Sequence, residues 1–266
     1  MNLNQVNKAL KDFDKGIELN PYNKFFYAVR GNVYVYQGNF RAAIADFNKD
    51  SIADLATGNI ERVETDPKLM ELHLGGLGSS VKLHWDRVPP ETKAFDDGNI
   101  LVISTGLLNG TPAFSANRTV VTFISPQTGL LGYPMMGGFF SAEMKYAGYD
   151  KFVIRNKSPK WVYLWVNNDK VELRDASHLV GRGALETQDL IRKELGEPRA
   201  QVAAIGPAGE HKCFTASIEQ GRSSSSRLGG GAVMGDKKIK AVAVRGTKDL
   251  NLYDGVKFMK LMDDVK

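Results

Sequence analysis

Between residues 100 and 246 short apolar runs alternate with turn residues. ILVIST (100–105), TVVTFIS (119–125), KFVIRN (151–156), VYLWVN (162–167), KVELRD (170–175), QVAAIG (201–206) and KAVAVRG (240–246) are rich in β-branched and aromatic residues. Such runs, bounded by Gly, Pro and Asn, predict strands. Asn167-Asn168-Asp169 separates two of them and predicts a hairpin. SAEMKYAGY (141–149) and ALETQDLIRKELG (184–196) predict helices closed by Gly148 and Gly196. The strands follow one another in meanders rather than in strict alternation with helices. This pattern is α+β and disfavours a doubly wound dinucleotide fold.

The first fifty residues follow a different period. ALKDFDKGIELNP (9–21) aligned with AIADFNKDSI (43–52) matches Ala9 to Ala43, Asp12 to Asp46, Phe13 to Phe47 and Lys15 to Lys49, a spacing of 34 residues. That is the period of a tetratricopeptide repeat, and about one and a half repeats are present. Helical pairs of this kind bury their apolar face by stacking on neighbours, so the segment is too short to be a peptide-binding solenoid. The expectation is a tetratricopeptide-like helical segment over 1–49 that is a remnant packed on the next domain, with a docking arm as the alternative.

Charge and cysteine usage narrow the partners. The net charge of +5 comes from 35 basic and 30 acidic residues scattered along 266 positions, with no dense basic run to follow a nucleic-acid backbone. A nucleic-acid partner is therefore not expected. There is no apolar run of about 18 residues, and the opening MNLNQVNKALKDF has no apolar signal core, so the chain reads as cytoplasmic without membrane insertion. Cys213 is the only cysteine; it excludes an internal disulfide and cannot by itself hold a cysteine-ligated 4Fe-4S cluster. In HKCFTASI it reads as a small packed residue. His73, His84, His178 and His211 show no metal-ligand spacing.

SIEQGRSSSSRLGGGAVMG (217–235) is the stretch with binding chemistry. Small residues let backbone N–H groups approach an anion, and flanking arginines donate paired hydrogen bonds to phosphate oxygens. It is not a P-loop: in GGAVMGDK (230–237) Asp236 stands where a lysine is needed, and no Ser or Thr follows. LGGLGSS (74–80) lacks the third glycine and the acidic residue of a dinucleotide fingerprint. No G-x-S-x-G elbow is present.

Seven phrases from about Asp54 to 248 resemble, in order and spacing, the N-terminal domain of the aldehyde ferredoxin oxidoreductase family of tungsten enzymes. They are LATGNIE, LGGLGSSVKL, LLNGTPAFSANRTVVTFISPQTG, GGFFSAEMKYAGYDKFVI, VYLWVNNDKVELRDASHL, AAIGPAGEH and GGGAVMGDKKIKAVAVRGTKDL. MMGG (135–138) and EQGRSSSSR (219–227) are similar to the aromatic acyl-CoA reductase branch, whose best-known member dearomatises benzoyl-CoA.

The resemblance implies a two-sheet base domain over 50–248, with 249–266 the start of a following helical domain. It implies a tungsten (or molybdenum) bis-metallopterin with phosphates bridged by magnesium, and a redox reaction on an aldehyde or acyl-CoA substrate. By position, Arg118 matches an arginine at the pterin phosphates, Gly137 a backbone contact and Arg227 a second arginine. Met135, Ser223, Ser224 and Ser226 fall on further cofactor positions where aldehyde oxidoreductases have Asn, Arg, Ala and Gly. The cation that is missing at Ser223 would have to come from the neighbouring Arg222. No catalytic residue is assigned to this chain. The family's 4Fe-4S cysteines lie in domains that follow this one, so the implied partners are those domains or a separately encoded subunit and a ferredoxin-type carrier, with a homodimer left open. The alternative is a non-catalytic interaction protein with a degenerate cofactor domain. The seam near 48–54, where the repeat runs into SIADLATGNIE, departs from the family's opening strand.

Overall fold

The computed structural model describes Lys15 and residues 49–250, 252 and 255–265. The repeat expected over 1–49 lies outside them apart from Lys15 and Lys49. Phe47–Leu250 forms one compact unit, and Met1–Asp46 with Asn251–Lys266 forms another, whose described part includes helix α7 (Gly255–Val265).

The larger unit is mixed α and β and contains two sheets. The first uses β1 (Lys49–Asp54), β2 (Ile60–Glu64), β3 (Leu101–Ser104), β4 (Thr119–Ile124), β5 (Leu131–Gly132), β6 (Met135–Met136) and β7 (Tyr149–Arg155). Its order is β2-β1-β7-β3-β4-β5, with β6 also on β4. The second uses β8 (Val162–Asn167), β9 (Lys170–Asp175), β10 (Gln201–Ala204), β11 (Glu219–Gln220), β12 (Ser223–Ser224) and β13 (Ile239–Arg245), in the order β12-β11-β10-β13-β8-β9. The helices are α1 (Pro67–His73), α2 (Gly76–Arg87), α3 (Phe140–Ala147), α4 (Ala184–Leu195), α5 (Pro207–Glu210) and α6 (Gly230–Asp236).

These elements form a duplication. In each half a hairpin (β1-β2, β8-β9) is followed by an outer helix (α2, α4), a strand (β3, β10) and a second strand (β4, β11). A short strand (β6, β12) and an inner helix (α3, α6) then lead to a last strand (β7, β13). That strand returns parallel to the first. The registers agree: Leu101 faces Ile154 as Gln201 faces Val244, and Ser104 faces Val120 as Ala204 faces Glu219. Both returning strands carry one extra residue at the same place. Tyr149 and Lys151 face consecutive residues of β1, and Ile239 and Ala241 face consecutive residues of β8, which leaves Asp150 and Lys240 as bulges. Both are buried. Lys145 Nζ donates to Asp150 at 2.5 Å, and Lys240 Nζ donates to Glu210 and, at 2.8 Å, to the Arg182 carbonyl.

Strict alternation along the strands builds the core. Leu101 and Ile103 of β3, Phe152 and Ile154 of β7, Leu164 and Val166 of β8 and Val242 and Val244 of β13 share one cluster with Phe140 and Met144 of α3 and Val233 and Met234 of α6. The residues between them face outward. Tyr163, Trp165, Val202 and Ala243 meet Ile191 of α4, while Val102 and Val153 meet Leu83 of α2. Burying such side chains stabilises by about 1.5–3 kcal/mol each relative to exposure.

All seven strands expected from the apolar runs are present, as are α3 and α4, which end on left-handed Gly148 (φ 89) and Gly196 (φ 65). The hairpin turns at Asn168 (φ 50). The glycine phrases LGGLGSS and GGAVMGDK are helices α2 and α6, which propensity alone disfavours. In α6 the reason is close approach: a Cβ on Gly235 would overlap the Gly209 carbonyl of α5, and one on Gly231 would overlap the Ser217 carbonyl.

Candidate cofactor site

The two halves touch at equivalent strands, β6 and β12. β6 lies on β4 with Thr119 facing Met136 and Val120 facing Met135, so Arg118, one residue earlier, stands beside Gly137. A Cβ on Gly137 would lie 3.2 Å from Ser223 Oγ of β12. Gly138 has φ 90 and packs flat against Gln220, whose Oε1 would overlap any Cβ there. Arg118, Met135–Gly138 and Gln220–Ser224 therefore form one continuous surface.

The register also equates the residues singled out in the sequence. Val120 faces Met135 and Ser104; Glu219 faces Ser224 and Ala204. Met135 thus corresponds to Ser224 and Gly137 to Ser226. Counted from these equivalent residues, Ser224 to Gly230 spans one residue more than Met135 to Phe140, and Arg227 lies in that turn. Ser225 fixes this turn: its N–H donates to the Ile218 carbonyl and its Oγ accepts the Ile218 N–H, each at 2.9 Å. Ser226 takes the left-handed conformation (φ 62), rare for a residue with a Cβ. Ser125 Oγ, just beyond β4, donates to the Leu228 carbonyl at 2.7 Å. The seven steps from Arg118 to Ser125 cover roughly 23 Å at about 3.3 Å per residue. The backbones of Arg118 and Arg227 are therefore held toward opposite ends of β4, one in each half, rather than side by side.

The chemistry offered is anion binding. Arg118, Arg222 and Arg227 are exposed, and their guanidinium groups make no hydrogen bond or ion pair with the described residues. Two buried polar atoms at the same junction, Thr119 Oγ1 and Gln220 Oε1, also lack partners. Met135 (39% exposed) and Phe139 (67%) give the turn an apolar rim. Unpaired forked donors, glycine backbone open to close approach and an apolar rim fit a phosphate-bearing ring system such as a pterin. Among the described residues no group of three His, Cys, Asp or Glu side chains is arranged to hold a metal ion.

Other sequence candidates resolve differently. Cys213 is exposed, which corrects its reading as a packed residue; hydrogen bonds from Thr215 hold its thiol below the usual range. His84 is buried, with Nδ1 3.0 Å from the Ser80 carbonyl and Nε2 3.3 Å from the Ile100 carbonyl, and burial pushes its pKa down. It joins α2 to β3 and serves the fold. Sequence reasoning did not reach Gln220, whose importance depends on a contact with Gly138 that no local pattern encodes.

Residues 52–246 match the model of the family described as aldehyde ferredoxin oxidoreductase, N-terminal domain. The chain is 40% identical over 207 residues to the tungsten-containing aldehyde ferredoxin oxidoreductase of Pyrococcus furiosus and 41% identical to that of Thermococcus kodakarensis, in both cases over 77% of this chain and 34% of the relative. It thus spans about a third of the length of these curated relatives. It also superposes with a TM-score of 0.77 and 62% identity on the solved active site complex BamBC of benzoyl coenzyme A reductase in complex with 1,5 dienoyl-CoA, covering 78% of this chain and 32% of that one. With its two-sheet domain matched almost from end to end, the chain belongs to the aldehyde ferredoxin oxidoreductase family through that family's N-terminal domain.

Proposed function

We propose that this chain is the metallopterin-binding portion of a tungsten-dependent oxidoreductase, with an aromatic acyl-CoA favoured over an aldehyde as substrate. The observation that carries the reading is the pair of equivalent turns, Met135–Gly138 and Ser224–Arg227, which meet at β6 and β12 with one arginine at each that has no partner among the described residues. A duplicated protein surface suits a ligand that is itself double, and two metallopterins with one phosphate each are such a ligand. The 62% identity to the benzoyl-CoA reductase complex, against 40% to an aldehyde oxidoreductase, supports the acyl-CoA choice.

Each chain residue has a definite part in this reading. Arg118 and Arg227 would donate to phosphate oxygens, and Arg222 would supply the cation that Ser223 lacks. Gly137 and Gly138 bring backbone within reach of the ligand, and Met135 and Phe139 cover its apolar edge. When bound, the cofactor supplies a metal that changes oxidation state, while the protein supplies orientation and electrostatics. In this reading magnesium would neutralise the phosphate charge, and 4Fe-4S clusters and a ferredoxin-type carrier would supply the electrons. Cys213 alone cannot ligate a cluster, so the clusters belong to further polypeptide.

The test is to express the full chain in a host supplied with tungstate and to count tungsten and pterin per chain. The reading expects two pterins for each tungsten. Supplying the cluster-bearing partner should then give dye-linked turnover with benzoyl-CoA and little with benzaldehyde. A chain free of pterin would overturn the cofactor assignment, and preference for the aldehyde would overturn the substrate assignment.

A further inference from the structure

Arg118 is presented by a loop without helix or strand, running from the end of β3 to the start of β4, and side-chain amides close that loop. Asn109 is buried, at 3% exposure. Its Oδ1 accepts the Gly106 N–H at 2.8 Å, and its Nδ2 donates to the Arg118 carbonyl at 3.1 Å. Asn117 Oδ1 accepts the Gly110 N–H at 2.9 Å, and Tyr146 of α3 donates to the Gly110 carbonyl at 2.7 Å. The Arg118 N–H donates to the Ala116 carbonyl at 3.1 Å. The backbone of Arg118 is thus held on both sides, although its guanidinium is exposed and has no partner among the described residues.

The equivalent loop in the other half is built otherwise. Its residue corresponding to Arg118 is Ser217, and the loop contains helix α5. Its turns are held by backbone, with the Cys213 N–H donating to the Ala208 carbonyl and the Ala216 N–H to the Cys213 carbonyl, each at 2.8 Å. The amide clamp therefore occurs in the half that delivers an arginine from this strand. A long flexible side chain binds an anion well only if its base is already ordered, because ordering it on binding costs conformational entropy.

We propose that Asn109 is the positioning residue for Arg118: it pins the arginine's carbonyl to the Gly106 turn so that the guanidinium meets the cofactor phosphate without reorganisation. The inference rests on the metallopterin reading above. Asn109→Asp keeps the acceptor for Gly106 but loses the donor to Arg118, whereas Asn109→Ala loses both.

The experiment measures tungsten and pterin retained by the full chain after dilution and buffer exchange, for both Asn109 variants with and without Arg118→Ala. In the Arg118 background each variant should lower retention by about 10-fold, the order expected when one charge-assisted hydrogen bond is removed. In the Arg118→Ala background neither should lower it further. Equal losses in both backgrounds would make Asn109 a residue of the fold alone, and retention like wild type would also overturn the inference. Failure of both variants to fold would overturn it too, since it assigns the amide to Arg118 rather than to the core. A wild-type chain without pterin would instead remove the cofactor reading and this inference with it, whereas wild type loaded, Arg118→Ala depleted and Asn109→Ala unchanged would remove this inference alone.

Discussion

Gly138 and Gln220 interlock at the junction of the two halves: the glycine, at φ 90, leaves room for a side-chain oxygen that any Cβ would overlap. Gln220 is buried, and its Nε2 donates to Gln201 Oε1 at 2.9 Å, so the contact links the β6 turn to β10. Gly138→Ala should cost about 1–3 kcal/mol in backbone strain, with a further loss from the overlap, and should release bound cofactor. Because Gln220 is a flexible side chain, the double variant with Gln220→Ala should recover the overlap part and keep the strain. Urea denaturation of the four proteins separates the two. An additive double variant would contradict the interlock.

The bulge at Lys240 makes a second prediction. Lys240 is buried and bonded to Glu210, whose side chain is 5% exposed and also accepts the Gly181 N–H at 2.9 Å. Removing one partner leaves an uncompensated charge, so Lys240→Met should destabilise by about 3–5 kcal/mol. The change should fall well below that when Glu210→Gln is added. A single variant as stable as wild type would show that the ion pair is not holding the bulge.

Lys237 predicts a stability that rises with pH in the alkaline range, against the usual alkaline loss. Its side chain is buried and donates to the Asn156 carbonyl at 3.2 Å. Burial pushes its pKa down to about 8 from 10.5, against the pull of Asp236. The folded value lies below the unfolded one, so the native state binds fewer protons between them and stability rises with pH across that window. The penalty is full below about pH 8 and gone above about 10.5. Lys237→Met should therefore stabilise the protein at pH 7 by on the order of 2 kcal/mol, and the gain should shrink toward pH 10. A gain independent of pH would mean that packing, not charge, is responsible.

The sequence revealed the strands because a run of β-branched and aromatic residues bounded by turn residues is a local signal; β3, β7, β8, β10 and β13 all came from it. It concealed α2 and α6, where glycines that lower helix propensity are required by close approach to neighbouring backbone, as Gly235 shows against Gly209. It concealed the duplication as well. Gly137 and Ser226 occupy equivalent positions without being the same residue, and only the register of β4 and β11 equates them. Met135, Gly137, Ser223, Ser224, Ser226, Arg118 and Arg227 were reached by resemblance. Asn109 and Gln220 were not, since an amide's role lies in which two atoms it joins: Asn109 joins Gly106 to Arg118 across a loop with no periodic pattern, and Gln220 meets Gly138 and Gln201 far from it along the chain.

The most direct measurement compares cofactor retention in Arg118→Ala, Arg227→Ala and Arg174→Ala. Arg174 is the control: it lies on β9, bonded through Nε to Glu172 at 2.6 Å, away from β6 and β12. Each of the first two substitutions removes hydrogen bonds to a charged group, worth about 1.5–3 kcal/mol, so each should weaken retention by about 10- to 100-fold. Tungsten and pterin should leave together in both, while Arg174→Ala stays loaded like wild type. Equal retention in all three proteins would contradict the claim that the paired turns and their arginines hold the cofactor.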